Sequence, residues 1–417
     1  MVNTIGNRLG IAALMSFALA TGSCADRPPT APDTAATSSS PMKSGALAAR
    51  AMSVGASTLE GDIGPGAHYV ISTPDGWNGD LVLYAHGYTA PIFPVGIPPG
   101  EEVLVEGLRT IALQSGMAFA YSSYSQTGLG LRDAALRTEQ LGNVFTSLVG
   151  EPNRTFLIGT SFGGLAALKL VETHPERYAG LLTLCGMVGG VRAETDYVSH
   201  IRVLFDYFYP GVLRGSLYEL PDDLDLQRDI VEAVSRAIGE NPEPAFLMSQ
   251  IAQTPIPFSS GPELVQSIIQ ALVLQAVELE DLLERTHGQG FFENTGTVYT
   301  GNLPPELLAD LNARVARYSA GAAAQQFLDK YYEPTGNLLV PLVSLHTSMD
   351  PVVPLVHESI YRSRVEARGL GANLRGVTVE RYGHCQFIPE EIVGGFVQMI
   401  VLANSTVSSS SKLAEVR

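Results

Sequence analysis

Cations are scarce in this chain: 26 Lys and Arg stand against 42 Asp and Glu in 417 residues, a formal net charge of −16. No basic cluster interrupts that deficit, which excludes nucleic acid or an anionic membrane surface as the main partner, since both need a concentrated positive footprint. The N-terminal apolar run, Leu9 to Ala20 behind Arg8, is too short to span a bilayer and reads as the apolar part of an export signal. Cysteine is nearly absent, with Cys24, Cys185 and Cys385 the three in the chain. No internal repeat is visible. Asp222, Asp223 and Asp225 lack the full spacing of a calcium loop and read as a solvated acidic face, so no metal is assigned.

What is present is a globular composition, 45% hydrophobic, in a chain long enough for one large α/β domain with an insertion or for two domains. The expected organisation is an export signal over 1–24, a tether over 25–57, a core in two parts over 58–189 and 337–404 around a cap over 190–336, and a tail over 405–417. The tether and tail are expected to be disordered; the first is rich in Pro, Ala, Ser and Thr and has no hydrophobic period. Thr21-Gly22-Ser23-Cys24 resembles the lipobox of bacterial lipoproteins, with Thr21 where that motif usually has leucine. The resemblance implies a lipid anchor on Cys24, and ordinary cleavage after Ala20 is the alternative.

From about residue 68 the pattern alternates strand and helix. Strands are predicted at 68–73, 80–86, 117–121, before residue 161, and at 178–185, with helices at 102–114, 131–148 and up to 173. The alternation resumes with strands at 338–345 and 377–382 and helices at 355–367 and 389–402, so both blocks are expected to share one mostly parallel sheet. The segment 190–336 is helical in pattern and lacks strand runs, which predicts a cap above the sheet. Its run Pro262 to Arg285 carries an apolar stripe wide enough to pack the cap's own core, or to line an apolar acyl pocket.

The run Phe156 to Gly164 is the most informative. An apolar strand enters Gly159-Thr160-Ser161-Phe162-Gly163 and a helical pattern leaves it, the G-x-S-x-G turn on which a serine hydroxyl protrudes as a nucleophile. The glycines let strand and helix pack closely around a strained Ser161, and the turn aims the Phe162 N–H toward a developing oxyanion. A nucleophilic serine needs a base and an orienting carboxylate, here expected after the late strands in the order Ser, Asp, His. Asp350 follows the apolar run ending near Leu345, and His384 follows the last strand, with Gly383 allowing a bend toward Ser161. Tyr88, in His86-Gly87-Tyr88 after an early strand, is the candidate for the second oxyanion N–H. His86 is expected to brace that loop, His346 to be a core residue at a strand end, and His357 to lie on the surface.

These motifs, over about residues 65 to 403, resemble the α/β-hydrolase superfamily, and within it exported bacterial carboxylesterases and lipases, some of which attack synthetic polyesters. The resemblance implies an α/β-hydrolase fold, with the cap inserted between the sixth and seventh strands. It also implies Ser161 as nucleophile, Asp350 as acid, His384 as base, the Tyr88 and Phe162 amides as oxyanion donors, and an ester substrate with no cofactor. A narrower likeness to tannases and feruloyl esterases fails. Those enzymes often join a cysteine before the serine to one after the histidine, and here Thr160 precedes Ser161. An exported serine peptidase or amidase on the same scaffold is the alternative, and a non-catalytic binding protein the third reading. Cys185 ends the strand after the nucleophile helix and Cys385 adjoins His384, so the two are expected to approach within disulfide range, with two buried thiols as the alternative.

Overall fold

The computed structural model describes residues 55–414, with side chains described as far as residue 405. The export signal, Cys24 and most of the expected tether lie outside the described residues. In chain order the elements are β1 (Ala56–Asp62), β2 (His68–Pro74), β3 (Asp80–Ala85), α1 (Glu102–Gln114), β4 (Ala118–Ser122), α2 (Leu131–Leu148), β5 (Arg154–Thr160), α3 (Phe162–Thr173) and β6 (Gly180–Leu184). The cap follows as α4 (Val191–Phe208), a π-helical turn Leu226–Glu232, α5 (Ala233–Glu240), α6 (Glu243–Ser249), α7 (Gly261–Arg285), α8 (Pro305–Arg314) and α9 (Ala322–Tyr331). The chain then completes the sheet with β7 (Leu342–Met349), α10 (Val356–Ala367), β8 (Leu374–Tyr382) and α11 (Pro389–Ala414).

The eight strands form one sheet in the order β1-β2-β4-β3-β5-β6-β7-β8. β2 is antiparallel to both β1 and β4, and every pairing from β4 to β8 is parallel. The interior parallel strands are mostly apolar because helices cover both faces, whereas β8 at the edge is largely exposed. Their period of two sorts the side chains. Leu83, Leu157, Leu181 and Leu342 pack with Phe145 of α2 and Leu168 of α3. Val82, Ile158, Leu182 and Val343 face the other way, onto Leu108 of α1 and Phe396 of α11. Each fully buried side chain of this size contributes roughly 1.5–3 kcal/mol.

The cap enters between β6 and β7. Its core is continuous with α3: Leu204, Ile268 and Leu272 cluster with Phe162 and Leu165. Polar bonds fix it to the core. Asp281 of α7 accepts from the Leu129 N–H at 2.7 Å, and the Tyr382 hydroxyl donates to the Glu263 carbonyl at 3.2 Å. At the exit, the Thr335 and Gly336 amides each donate to the Glu172 carboxylate at 2.7 Å.

Several boundaries differ from expectation. β1 starts inside the stretch read as tether; its burial pattern is almost wholly exposed, so hydrophobic periodicity could not reveal it. β7 begins at Leu342 and β8 at Leu374, because Pro341 ends the preceding loop and the start of β8 is mostly exposed. The last helix runs to Ala414, so the segment from 405 to 414, read as a disordered tail, continues α11.

Candidate functional site

The turn between β5 and α3 requires its glycines. A Cβ at Gly159 would overlap the Gly163 carbonyl, and one at Gly163 would overlap the Ala85 and His86 carbonyls at the end of β3. The β5–α3 turn and the His86-Gly87-Tyr88 loop are therefore in direct backbone contact. Ser161 sits at φ 54°, ψ −123°, a strained conformation for a side-chain-bearing residue. The surrounding backbone holds it there: the Ser161 N–H donates to Leu184 O at 2.9 Å, and its carbonyl accepts from Gly164 and Met187 at 2.9 and 3.0 Å.

Asp350 follows β7 and is 1% exposed. Its Oδ1 accepts from the Val352 and Val353 amides at 2.9 and 3.0 Å, and its Oδ2 accepts from His384 Nδ1 at 2.8 Å. Burial works to raise the Asp350 pKa, but the charge and hydrogen bond of His384 outweigh it and hold the carboxyl below its usual range. Burial works to lower His384, yet the charge and hydrogen bond of Asp350, followed by Glu194 and Glu101, carry it above the ordinary histidine value. Gly383, at φ 107°, provides the bend before His384, and its amide donates to Met349 O at 2.9 Å.

Ser161 and His384 line one cavity, with an empty volume of about 1030 Å³ that includes open solvent. Gly87 and Tyr88 lie on its wall, and Phe162 opens α3 next to Ser161. The remaining lining is largely apolar, including Phe93, Leu104, Ile269, Val273, Leu274 and Val352. The α7 stripe both packs the cap and reaches this cavity. Leu272 and Leu279 pack the cap core, while Ile269 and Val273 belong to that core and also line the cavity.

Two polar groups on this wall carry no sequence motif. Glu101 receives the Tyr84 hydroxyl on one oxygen and the Gly87 N–H on both, at 3.1 Å. Burial raises it to about 7, against the lowering effect of those bonds and of His384. Gln270 lines the cavity with a buried Oε1 that has no partner among the described residues. Only the fold brings Glu101 to this wall, since it lies fourteen positions after Gly87 along a loop.

His86, His346 and His357 are buried in the fold. His86 stacks on Tyr124 with ring centroids 3.8 Å apart, and its Nδ1–H donates to Gly87 O at 2.8 Å. Burial lowers it to about 4. His346 is buried in β7. His357, expected on the surface, is fully buried: its Nδ1 accepts from the Gly189 N–H at 3.1 Å, and its Nε2 lies 3.2 Å from Glu194. The cap covers that end of α10, which no local pattern around residue 357 signals. Cys185 and Cys385 are joined, with Cα atoms 5.3 Å apart across 200 residues of sequence. The acidic residues set aside as a metal site behave as surface groups: Asp223 pairs with Arg214 at 2.7 Å, and Asp225 caps the π-helical turn.

No family model matches the chain, and no curated protein sequence matches it. Among solved structures, esterase Pf2001 of Pyrococcus furiosus is 10% identical, over 84% of this chain and 91% of that one, with a TM-score of 0.42. The rice cell wall degrading esterase LipA of Xanthomonas oryzae is 14% identical, over 84% of this chain and 87% of that one, with a TM-score of 0.39. Such distant likenesses carry no weight for chemistry, and the fold assignment rests on strand order and connectivity. A mostly parallel eight-stranded sheet with β2 antiparallel and β3 and β4 exchanged, a G-x-S-x-G turn after β5, and residues for an Asp and a His after β7 and β8 make this chain an α/β-hydrolase in fold, with its helical cap between the sixth and seventh strands.

Proposed function

We propose that the chain is a serine hydrolase of neutral, hydrophobic carboxylic esters. The observation that carries this reading is the Asp350–His384 hydrogen bond at 2.8 Å, at the wall of an apolar cavity that also holds a strained Ser161 on the strand–helix turn. With its Nδ1–H committed to Asp350, His384 presents the Nε2 lone pair as base. Ser161 Oγ attacks the ester carbonyl, Nε2 takes the serine proton and returns it to the leaving alcohol, and water then cleaves the acyl-enzyme by the same steps. The Tyr88 and Phe162 amides are the donors for the oxyanion, one from each side of the backbone contact between the two loops.

The apolar walls favour an uncharged acyl group. An aminopeptidase-type substrate would need a fixed anion for its amine. Glu101, the carboxyl on this wall, is raised to about 7 by burial and already accepts from Gly87 and Tyr84, so it is a poor fixed anion. That supports ester over amide chemistry. The test is turnover of p-nitrophenyl esters of increasing acyl length beside aminoacyl p-nitroanilides. Esters are expected to be turned over with far higher kcat/KM, and Ser161→Ala to abolish both turnover and fluorophosphonate labelling. Full activity in folded Ser161→Ala, or anilide cleavage without esterase activity, refutes the proposal.

A further inference from the structure

His384 Nε2 has two sulfur neighbours. Cys385 Sγ lies 3.7 Å from it and Cys185 Sγ 4.0 Å. In a tetrahedral zinc site, Zn–S bonds of about 2.3 Å and Zn–N bonds of about 2.0–2.1 Å place the nitrogen about 3.6 Å from each sulfur and the sulfurs about 3.8 Å apart. The nitrogen-to-sulfur spacings in the folded chain already approach these values. What prevents such a site is the covalent bond between the sulfurs, and cleaving it lets side-chain rotation separate them while the backbone stays at its Cα–Cα distance of 5.3 Å. We infer that, once the Cys185–Cys385 bond is reduced, Cys185, Cys385 and His384 form a three-ligand site for a soft divalent cation of the zinc class.

Two further features fit the same chemistry. Asp350 holds His384 Nδ1–H at 2.8 Å, the carboxylate–histidine arrangement that orients an imidazole ligand toward zinc. His384 and Cys385 both line the cavity, while Cys185 is buried behind them, so a cation held by the three lies at the cavity wall, where a water can complete a zinc site. A phosphine cleaves the S–S bond by taking oxygen from water, leaving two thiols and a phosphine oxide. Zn²⁺ then displaces the two thiol protons, and two thiolates and the neutral imidazole bind it. The bound cation occupies the lone pair with which His384 would deprotonate Ser161. Inhibition thus rests on the proposed role of His384, whereas cation uptake does not.

The test uses the full chain carrying Cys24→Ala, reduced with a water-soluble phosphine and checked for its fold by circular dichroism. Zn²⁺ uptake is measured by competition with a chromophoric chelator, and Co²⁺ replaces Zn²⁺ to report thiolate ligation through charge-transfer absorption. The reduced chain is expected to bind one Zn²⁺ and to lose more than about tenfold of its esterase turnover, which EDTA restores; the oxidised chain should do neither. Because even outer-shell changes cost about 10–100-fold in metal affinity, His384→Ala should weaken uptake by more than about 100-fold. The inference is overturned if the reduced chain takes up no Zn²⁺, if Co²⁺ gives no thiolate charge transfer, if His384→Ala binds as tightly, or if reduction unfolds the domain. A chain that binds Zn²⁺ as described yet hydrolyses no ester in any form retains the site and refutes only the proposed function.

Discussion

Replacing Asp350 with Asn changes one atom and inverts the hydrogen-bond logic around His384. Oδ1 of Asp350 is held by two backbone donors, Val352 N–H at 2.9 Å and Val353 N–H at 3.0 Å. An asparagine that turned its NH2 toward them would set donor against donor twice, at roughly 1–3 kcal/mol for each unsatisfied buried group. The amide oxygen therefore stays on the backbone side, and the NH2 faces His384 Nδ1. His384 must then accept at Nδ1 and carry its proton on Nε2, the tautomer that cannot take a proton from Ser161. The comparable change in the chymotrypsin-type triad lowers kcat about 10⁴-fold, which is about 5 kcal/mol of barrier at 1.36 kcal/mol per decade. A second signature accompanies the loss. The base works deprotonated, so the raised His384 pKa places the acid limb of the wild-type kcat/KM profile above pH 6.5. Without the Asp350 charge, burial dominates and the limb moves to lower pH. The assay is p-nitrophenyl butyrate turnover from pH 5 to 9 for both proteins, with matched circular dichroism. A folded Asp350→Asn protein within tenfold of wild-type kcat, or with an unmoved acid limb, refutes this account of the site.

Gly163→Ala should displace the nucleophile turn from the β3 loop, since its Cβ meets two backbone carbonyls that cannot rotate away. The expected cost is about 1–3 kcal/mol by denaturant unfolding, with an esterase loss greater than tenfold because both loops proposed to hold the oxyanion shift. His86 supplies a pH dependence of stability. Its folded pKa, lowered by burial to about 4 from the ordinary 6.5, means that between these values the unfolded chain binds a proton that the folded chain does not. Stability is therefore full above pH 6.5 and falls as pH drops toward 4, by up to about 3 kcal/mol from this residue. Urea unfolding between pH 7 and 4 should show a shallower decline for a folded His86→Gln protein, and an equal decline in both rejects the assignment.

Much of the fold was legible because its signals are local. The apolar run Asp80 to Ala85, buried throughout, can be read as an interior parallel strand without any partner in view, and Gly159 and Gly163 announce the close backbone approach found between β5, α3 and the end of β3. Ser161, Asp350 and His384 were each readable from the turn or loop that carries them, and the fold brings His384 onto Asp350 and to the cavity wall beside Ser161. What carries no local signal depends on long-range packing. Glu101 precedes an ordinary amphipathic helix and acquires its environment only when Tyr84 and Gly87 close over it. His357 looks like a surface helix residue until α4 of the cap brings Glu194 against it. β1 has no buried face, so its strand character comes from pairing with β2 rather than from its own pattern.

The insertion point of the cap also constrains how the protein reaches its native state. β6 pairs on one side with β5, its near neighbour in sequence, and on the other with β7, where Leu181 meets Leu342. All five residues of β6, Gly180 to Leu184, are buried in the finished sheet. During synthesis the first six strands and the whole cap emerge before β7, so a chain that has organised its first block presents β6 as a bare edge, apolar but for Thr183. Such edges template pairing with other chains, and parallel pairings across long sequence separations form slowly. The vulnerable species is therefore a half-built sheet, and truncation anywhere between Gly190 and Pro341 is expected to give insoluble protein rather than a smaller folded one.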